Sequence, residues 1–186
     1  FGLHRHHCRA KDAAAALGFE IPDEDQVKAA TDLVISKENY SLARLRLKFN
    51  RNGELGIDYE PYEDPKKPAE LMIFDQRNPD FQIRFKEYPY KNYEILEIAK
   101  AQGFDDAILI APDDQVAETS MATLALKIEG QWSTPPLSAG ILNGVVRALC
   151  IESDLLQVRK VMSNELVKVE SALLLSSLRN AQNVGV

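Results

Sequence analysis

Residues from about His6 to Leu17 form an alanine-rich stretch that predicts a helix, and Gly18 stands where a C-terminal cap is expected. A second helix is predicted from Asp23 to about Leu33. Pro22 precedes it, and Asp23, Glu24 and Asp25 place negative charge in its first turn, where the helix dipole favours it. The period then changes to two. Leu45, Leu47 and Phe49 share odd positions, Asn52-Gly53 supplies the positive φ angles of a tight turn, and Leu55, Ile57 and Tyr59 resume the alternation. This pattern predicts a β-hairpin.

The stretch Asp64 to Pro68, rich in proline and lysine, reads as a loop, followed by strands at Leu71 to Phe74 and Phe81 to Phe85. Beyond residue 86 a helix is predicted from about Tyr90 to Gln102, ending at Gly103, then a buried strand from Ala107 to Ala111. A polar turn at Asp113-Asp114 leads into the segment Val116 to Ile128, and Gly130-Gln131 makes another turn. Pro135-Pro136 and a Gly-bearing loop open a helix near Asn143. The last third predicts a strand at Val158 to Val161, a helix at Asn164 to Glu170 and a strand at Ala172 to Ser177. A domain boundary is placed within Arg77 to Phe85, giving residues 1–82 and 83–186, each an α/β unit, and hence an α+β fold class. The N-terminal domain is expected to lack its first strands, and both natural ends are candidates for truncation.

Composition narrows the function classes. The 186 residues are 45% hydrophobic, as in a globular protein with a proper core, and the net charge of −6 comes from scattered acidic residues. Nothing there attracts nucleic acid or an anionic membrane, so a small-molecule partner is expected. No apolar run approaches the ~20 residues that a membrane span needs. Cys8 and Cys150 lie far apart in sequence, which fits no disulfide framework and points to the reducing cytoplasm.

The informative region is Lys86 to Arg147. The run GFDDAILIAPDDQVAETSMATLALKIEGQWSTPPLSAGILNGVVRA reads as strand, turn, an acidic residue followed by small ones, strand, and a helix entered through Asn143-Gly144. In this order the pieces resemble the class IV aminotransferase pattern: a glutamate and a small residue, an Asn, then Thr-Pro, a leucine, a glycine and an arginine. The resemblance reaches upstream to Lys86, and more loosely to HHCRA and downstream to SSLRNAQNV, so it touches nearly the whole chain. Within the family the wording is most similar to 4-amino-4-deoxychorismate lyase modules.

The resemblance implies a D-amino-acid-aminotransferase-like fold, with 83–186 as the cofactor-binding domain, and pyridoxal 5'-phosphate as cofactor. It also implies a small-molecule amino substrate and a homodimer. Its lysine, whose amine bonds the cofactor and later moves protons, matches Lys86 by its distance from Asp105-Asp106; Lys91 is the alternative. Glu118, which leads ETSMAT, corresponds to the glutamate that keeps the pyridine nitrogen protonated. Gly144, Val145 and Val146 in LNGVVR occupy the place of the helix N-terminus that binds phosphate through main-chain N–H groups. Arg9 in LHRHHCR resembles the arginine of a His-x-x-Arg phosphate clamp, and Ser177 aligns with a polar residue near the phosphate. Thr123 stands where the family has Asn, so the bonding of that strand turn is expected to differ.

The activity implied is release of pyruvate from 4-amino-4-deoxychorismate, leaving 4-aminobenzoate for folate synthesis. The alternatives are a branched-chain or D-amino acid aminotransferase and a catalytically silent member serving as a binding module. His4, His6, His7 and Cys8 invite a metal reading, but no second ligand pair with recognisable spacing accompanies them, and none is expected. His6 is expected to pack the helix. Trp132, Tyr88, Tyr90 and Tyr93 are read as core more readily than as pocket.

Overall fold

The computed structural model describes residues 2–75, 85–86 and 92–185. It divides into two compact units, Phe1–Asp64 and Pro65–Val186. The 82/83 boundary expected from sequence, most of the strand expected at 81–85, Tyr88, Tyr90 and Lys91 lie outside the described residues.

In the first unit, α1 (Leu3–Ala16) ends as Gly18 turns to φ 76° and Phe19 N–H reaches back to the Ala14 carbonyl at 2.9 Å. This is the positive-φ exit that glycine permits. α2 (Glu24–Ile35) begins at a complete capping box: Asp23 accepts the Gln26 N–H at 2.8 Å, and Gln26 accepts the Asp23 N–H at 3.0 Å. The predicted hairpin is present as β1 (Ala43–Phe49) against β2 (Leu55–Pro61), antiparallel, with Phe49 opposite Leu55 and Gly53 at φ 84°. His7, rather than His6, is the buried histidine of α1; its Nε2 donates to the Pro22 carbonyl at 2.8 Å. His4 turns to Glu24 at 2.7 Å. Among the described residues no group of three or more His, Cys, Asp or Glu could hold a metal ion.

The second unit carries two sheets. The smaller has the order β3-β4-β5, with β3 (Leu71–Phe74) parallel to β4 (Asp106–Ile110) and β4 antiparallel to β5 (Val116–Thr119). The larger has the order β10-β9-β6-β7-β8. Its members are β6 (Thr123–Ile128), β7 (Gln131–Thr134), β8 (Gln157–Val158), β9 (Ser171–Ser176) and β10 (Asn180–Asn183). α3 (Tyr93–Ala101) precedes β4, and α4 (Val145–Glu152) follows β7. The largest core cluster joins both sheets: Ile110 and Val116 from the smaller meet Leu124, Leu126, Leu174 and Val161. Leu124 is 0% exposed, so Leu124→Ala would cost roughly 2–5 kcal/mol in lost transfer energy and cavity formation.

Two predicted elements differ. Of the strand expected at 158–161, only Val158 lies in a strand, Gln157–Val158, which is parallel to β7; Val161 enters the core, and Met162 makes an isolated bridge to Gln115. The helix expected at 164–170 is a 3-10 helix, Ser163–Lys168. Its Val167 is 89% exposed, so it has no continuous apolar face to extend it into an α-helix.

Candidate functional site

Glu118 is the third residue of β5, and every residue of that strand is buried. β5 stops one residue later because the chain must step from the smaller sheet into β6 of the larger. Thr119 makes that turn: its N–H and hydroxyl both donate to the Ala122 carbonyl at 3.0 Å, and its Oγ1 accepts the Ala122 N–H at 3.1 Å. The turn that leads into Thr123 is thus bonded through Thr119. Glu118 is 4% exposed, and its Oε1 accepts the Leu142 N–H at 3.2 Å. Burial pushes its pKa up to about 8. The Leu142 N–H and the charges of Lys86 and Arg147 oppose that rise, and the Asp106 charge adds to it. Lys86, exposed, is thereby placed in electrostatic reach of Glu118.

The loop from β7 to α4 completes the surroundings. A 3-10 turn, Leu137–Ala139, and Gly140 at φ 83° bring the chain round to Leu142. An open cavity of about 330 Å³ is lined by Leu137, Ser138, Ile141 and Asn143, a size fit for a small organic ligand. Gly144 is the N-cap of α4 and makes no side-chain cap bond. Because the first ladder bond is Ala148 N–H to the Gly144 carbonyl at 2.9 Å, the N–H groups of Val145, Val146 and Arg147 lie ahead of the helix ladder. A Cβ on Gly144 would come within 2.9 Å of Thr123 Oγ1. Thr123 therefore presents its side chain to the start of α4, where a methyl group on residue 144 would be crowded.

Ser177 follows β9 in the turn to β10; its strand neighbour Leu175 is paired with Thr123, so Ser177 lies at the same end of the large sheet. Arg9 is in the first unit on α1, half-buried, with Nη2 donating to His6 Nδ1 at 3.4 Å. Trp132 packs against the cluster of Ala125, Leu156 and Leu175, and Tyr93 is 40% exposed.

Sequence reasoning gave Arg147 no role beyond its place in the pattern. It is 4% exposed in the first turn of α4, its Nη2 donates to the Pro135 carbonyl at 2.9 Å, and its Nε is buried with no partner among the described residues. Burial lowers its pKa and the Glu118 charge raises it. The signal was an arginine set between Val145-Val146 and Ala148-Leu149, where a solvated side chain is out of place. A buried carboxyl, a lysine acting on it, and a helix N-terminus entered through a sterically required glycine suit a phosphorylated cationic heterocycle that reacts with amines.

A family description, amino-transferase class IV, matches residues 1–185. A Schizosaccharomyces pombe protein named "Putative aminodeoxychorismate lyase" is 26% identical over 163 residues, covering 82% of this chain and 68% of that one. The solved structure of a "Putative amino-acid aminotransferase" from Mesorhizobium loti superposes with a TM-score of 0.85 at 22% identity, covering 98% of this chain and 90% of its own. That of a "Putative 4-amino-4-deoxychorismate lyase" from Legionella pneumophila gives 0.82 at 21% identity, covering 98% and 76%. The two structures establish the α+β fold that the sequence predicts.

Proposed function

The chain belongs to the amino-transferase class IV family of pyridoxal-phosphate-dependent enzymes, and on that premise we propose that it is a 4-amino-4-deoxychorismate lyase, releasing pyruvate and 4-aminobenzoate. The lyase similarity of the S. pombe relative supports the choice of substrate. The observation that carries the chemistry is the buried Glu118 carboxyl with the Lys86 charge acting on it.

When bound, pyridoxal phosphate supplies an aldehyde that takes up amines and a ring that draws electrons from the amino-bearing carbon. Lys86 Nζ would hold the aldehyde carbon until substrate displaces it. The freed amine would then take the proton from the substrate's amino-bearing carbon and give a proton to the enolpyruvyl group, which leaves as pyruvate when its C–O bond to the ring breaks and the ring becomes aromatic. Glu118 would lie against the ring nitrogen and keep a proton there, because a carboxylate raises the pKa of an adjacent cation. The ring's positive charge would in turn offset the desolvation that holds the pKa of Glu118 high. Val145 and Val146 offer main-chain N–H groups to the phosphate, with Gly144 giving the approach and Thr123 and Ser177 at the margin. The contribution of Arg9 to phosphate binding rests on the resemblance, and Arg9→Ala tests it by the Kd for the cofactor. The homodimer is tested by sedimentation.

Turnover decides the reaction. Pyruvate and 4-aminobenzoate should form from 4-amino-4-deoxychorismate without a keto-acid acceptor. If amino groups are exchanged with keto acids instead, the protein is an aminotransferase for branched-chain or D-amino acids. Purified protein given pyridoxal phosphate should gain a visible absorption band that Lys86→Ala abolishes and Lys91→Ala retains. The reverse pattern moves the lysine to position 91, and no band in the unmutated protein makes it a silent member.

A further inference from the structure

Three buried polar residues with no part in the chemistry above meet at the turn that follows Glu118. Asp106, 1% exposed at the start of β4, accepts through Oδ1 the Ser120 N–H at 3.0 Å, the Ser120 hydroxyl, and the Ala107 N–H at 2.7 Å. Asn92, buried at the N-cap of α3, donates through Nδ2 to the Ser120 carbonyl at 3.4 Å. Both main-chain groups of Ser120 are thus taken by side chains from two other elements. The turn already binds itself through Thr119, so these outside ties do more than close it. They fix where the end of β5 lies relative to β4 and α3. Asp106 Oδ2, meanwhile, is buried with no hydrogen-bond partner among the described residues. An orphaned carboxyl oxygen destabilises a fold, so the three bonds made by Oδ1 hold the turn in place at a cost in stability.

We infer that Asp106, acting through Ser120 and assisted by Asn92, is a positioning residue that fixes the backbone carrying Glu118 and so aims its carboxyl at the cofactor's ring nitrogen. This rests on the reading of Glu118 given above. Asp106 does not touch the cofactor; its effect passes through the turn. The charge of Asp106 also acts on Glu118, which shows that the two carboxyls are electrostatic neighbours.

The test is a mutant cycle on the cofactor-loaded protein: D106A, D106N, S120A, E118Q and the doubles D106A/E118Q and S120A/E118Q. The readouts are kcat, KM, the Kd for pyridoxal phosphate, and the pH at which the visible band changes. D106A should lower kcat by about 100-fold, the size of loss that a misplaced catalytic group produces, with KM nearly unchanged. D106N should recover most of that, because its amide oxygen still accepts from Ser120. In the E118Q background D106A should add no more than about twofold, since the group it positions is gone. Both D106A and E118Q should shift the pH response of the band. Should D106A fail to fold, S120A, which removes only the hydroxyl tie, should show a smaller loss that likewise vanishes in the E118Q background. Equal losses with and without Glu118, or D106N as impaired as D106A, would overturn the inference while leaving the site reading intact. An unmutated protein that gains no band, or E118Q indistinguishable from it, would overturn both.

Discussion

Glu118 carries the largest shift from ordinary behaviour, and its sign leads to a stability prediction. Its folded pKa of about 8 lies above the usual 4.5, mainly through burial. Protons therefore bind the folded chain more tightly than the unfolded one. The resulting stability is fully present below about pH 4.5 and is lost as pH rises through about 8. In the cofactor-free protein, Glu118→Gln removes the burial of a charge at high pH and changes little at low pH. The variant should melt several degrees above the unmutated protein at about pH 9 and alongside it at about pH 4.5. Calorimetric scans at the two pH values check this, and a lower melting temperature for the variant at high pH would show that burial does not raise the pKa of Glu118. The sequence singled out Lys86 and Glu118 because the order of motifs around them is specific. Arg147 and Asp106 were not singled out, since a charged residue is by default read as solvated. Only tertiary packing shows that both are buried, and Asp105-Asp106 served the sequence reading merely as a ruler for Lys86.

At the level of elements, the approach of α4 to β6 turns on one pair of residues. Gly144 has φ −67° and ψ 139°, which any residue adopts, so backbone freedom is not why glycine stands there. The reason is Thr123 Oγ1, 2.9 Å from where a Cβ would be. Thr123 cannot easily retreat, because it is paired with Leu175 in the interior of the large sheet. Gly144→Ala should therefore cost about 1–3 kcal/mol as an overpacked contact, and should weaken cofactor binding at the helix N-terminus. Thr123→Ala in the same chain removes the clashing oxygen and should restore most of the stability, a coupling that denaturant unfolding of the two singles and the double will read. Strictly additive losses would place the contact elsewhere. The elements best read from sequence have local causes: the Asn52-Gly53 hairpin from its turn chemistry, and α2 from its acidic cap. β10, whose residues are Asn-Ala-Gln-Asn, has no strand propensity of its own and forms because β9 offers it an edge. Nothing within those four residues could have announced it.

Across the whole molecule, the two units differ in how much core each holds. Among the described residues of the first, only His7, Ala14, Val27 and Thr31 are buried, and no residue of β1 or β2 is. The second holds Leu109, Leu124, Leu126, Ile141 and Leu174, all below 2% exposure or at the edge of it. The division between units is not a local property of the sequence either. β3 pairs in parallel with β4, on the far side of α3 in the chain, and such a pairing leaves no trace in periodicity. Because local opening follows the density of buried apolar contacts, amide exchange in the cofactor-free protein should be fastest in α1, α2 and the β1–β2 hairpin, and slowest in β4, β6 and β9. A cofactor that binds the folded state alone would stabilise it by mass action, by about 2.7 kcal/mol at a hundredfold excess over Kd. That gain should appear first as slower exchange in the end of β5, the turn at Ser120 and the first turn of α4, the segments that bear Glu118 and the Val145 and Val146 N–H groups. Exchange mass spectrometry with and without pyridoxal phosphate measures it. Protection gained elsewhere, with those three segments unchanged, would mean that the cofactor is held by a different part of the chain.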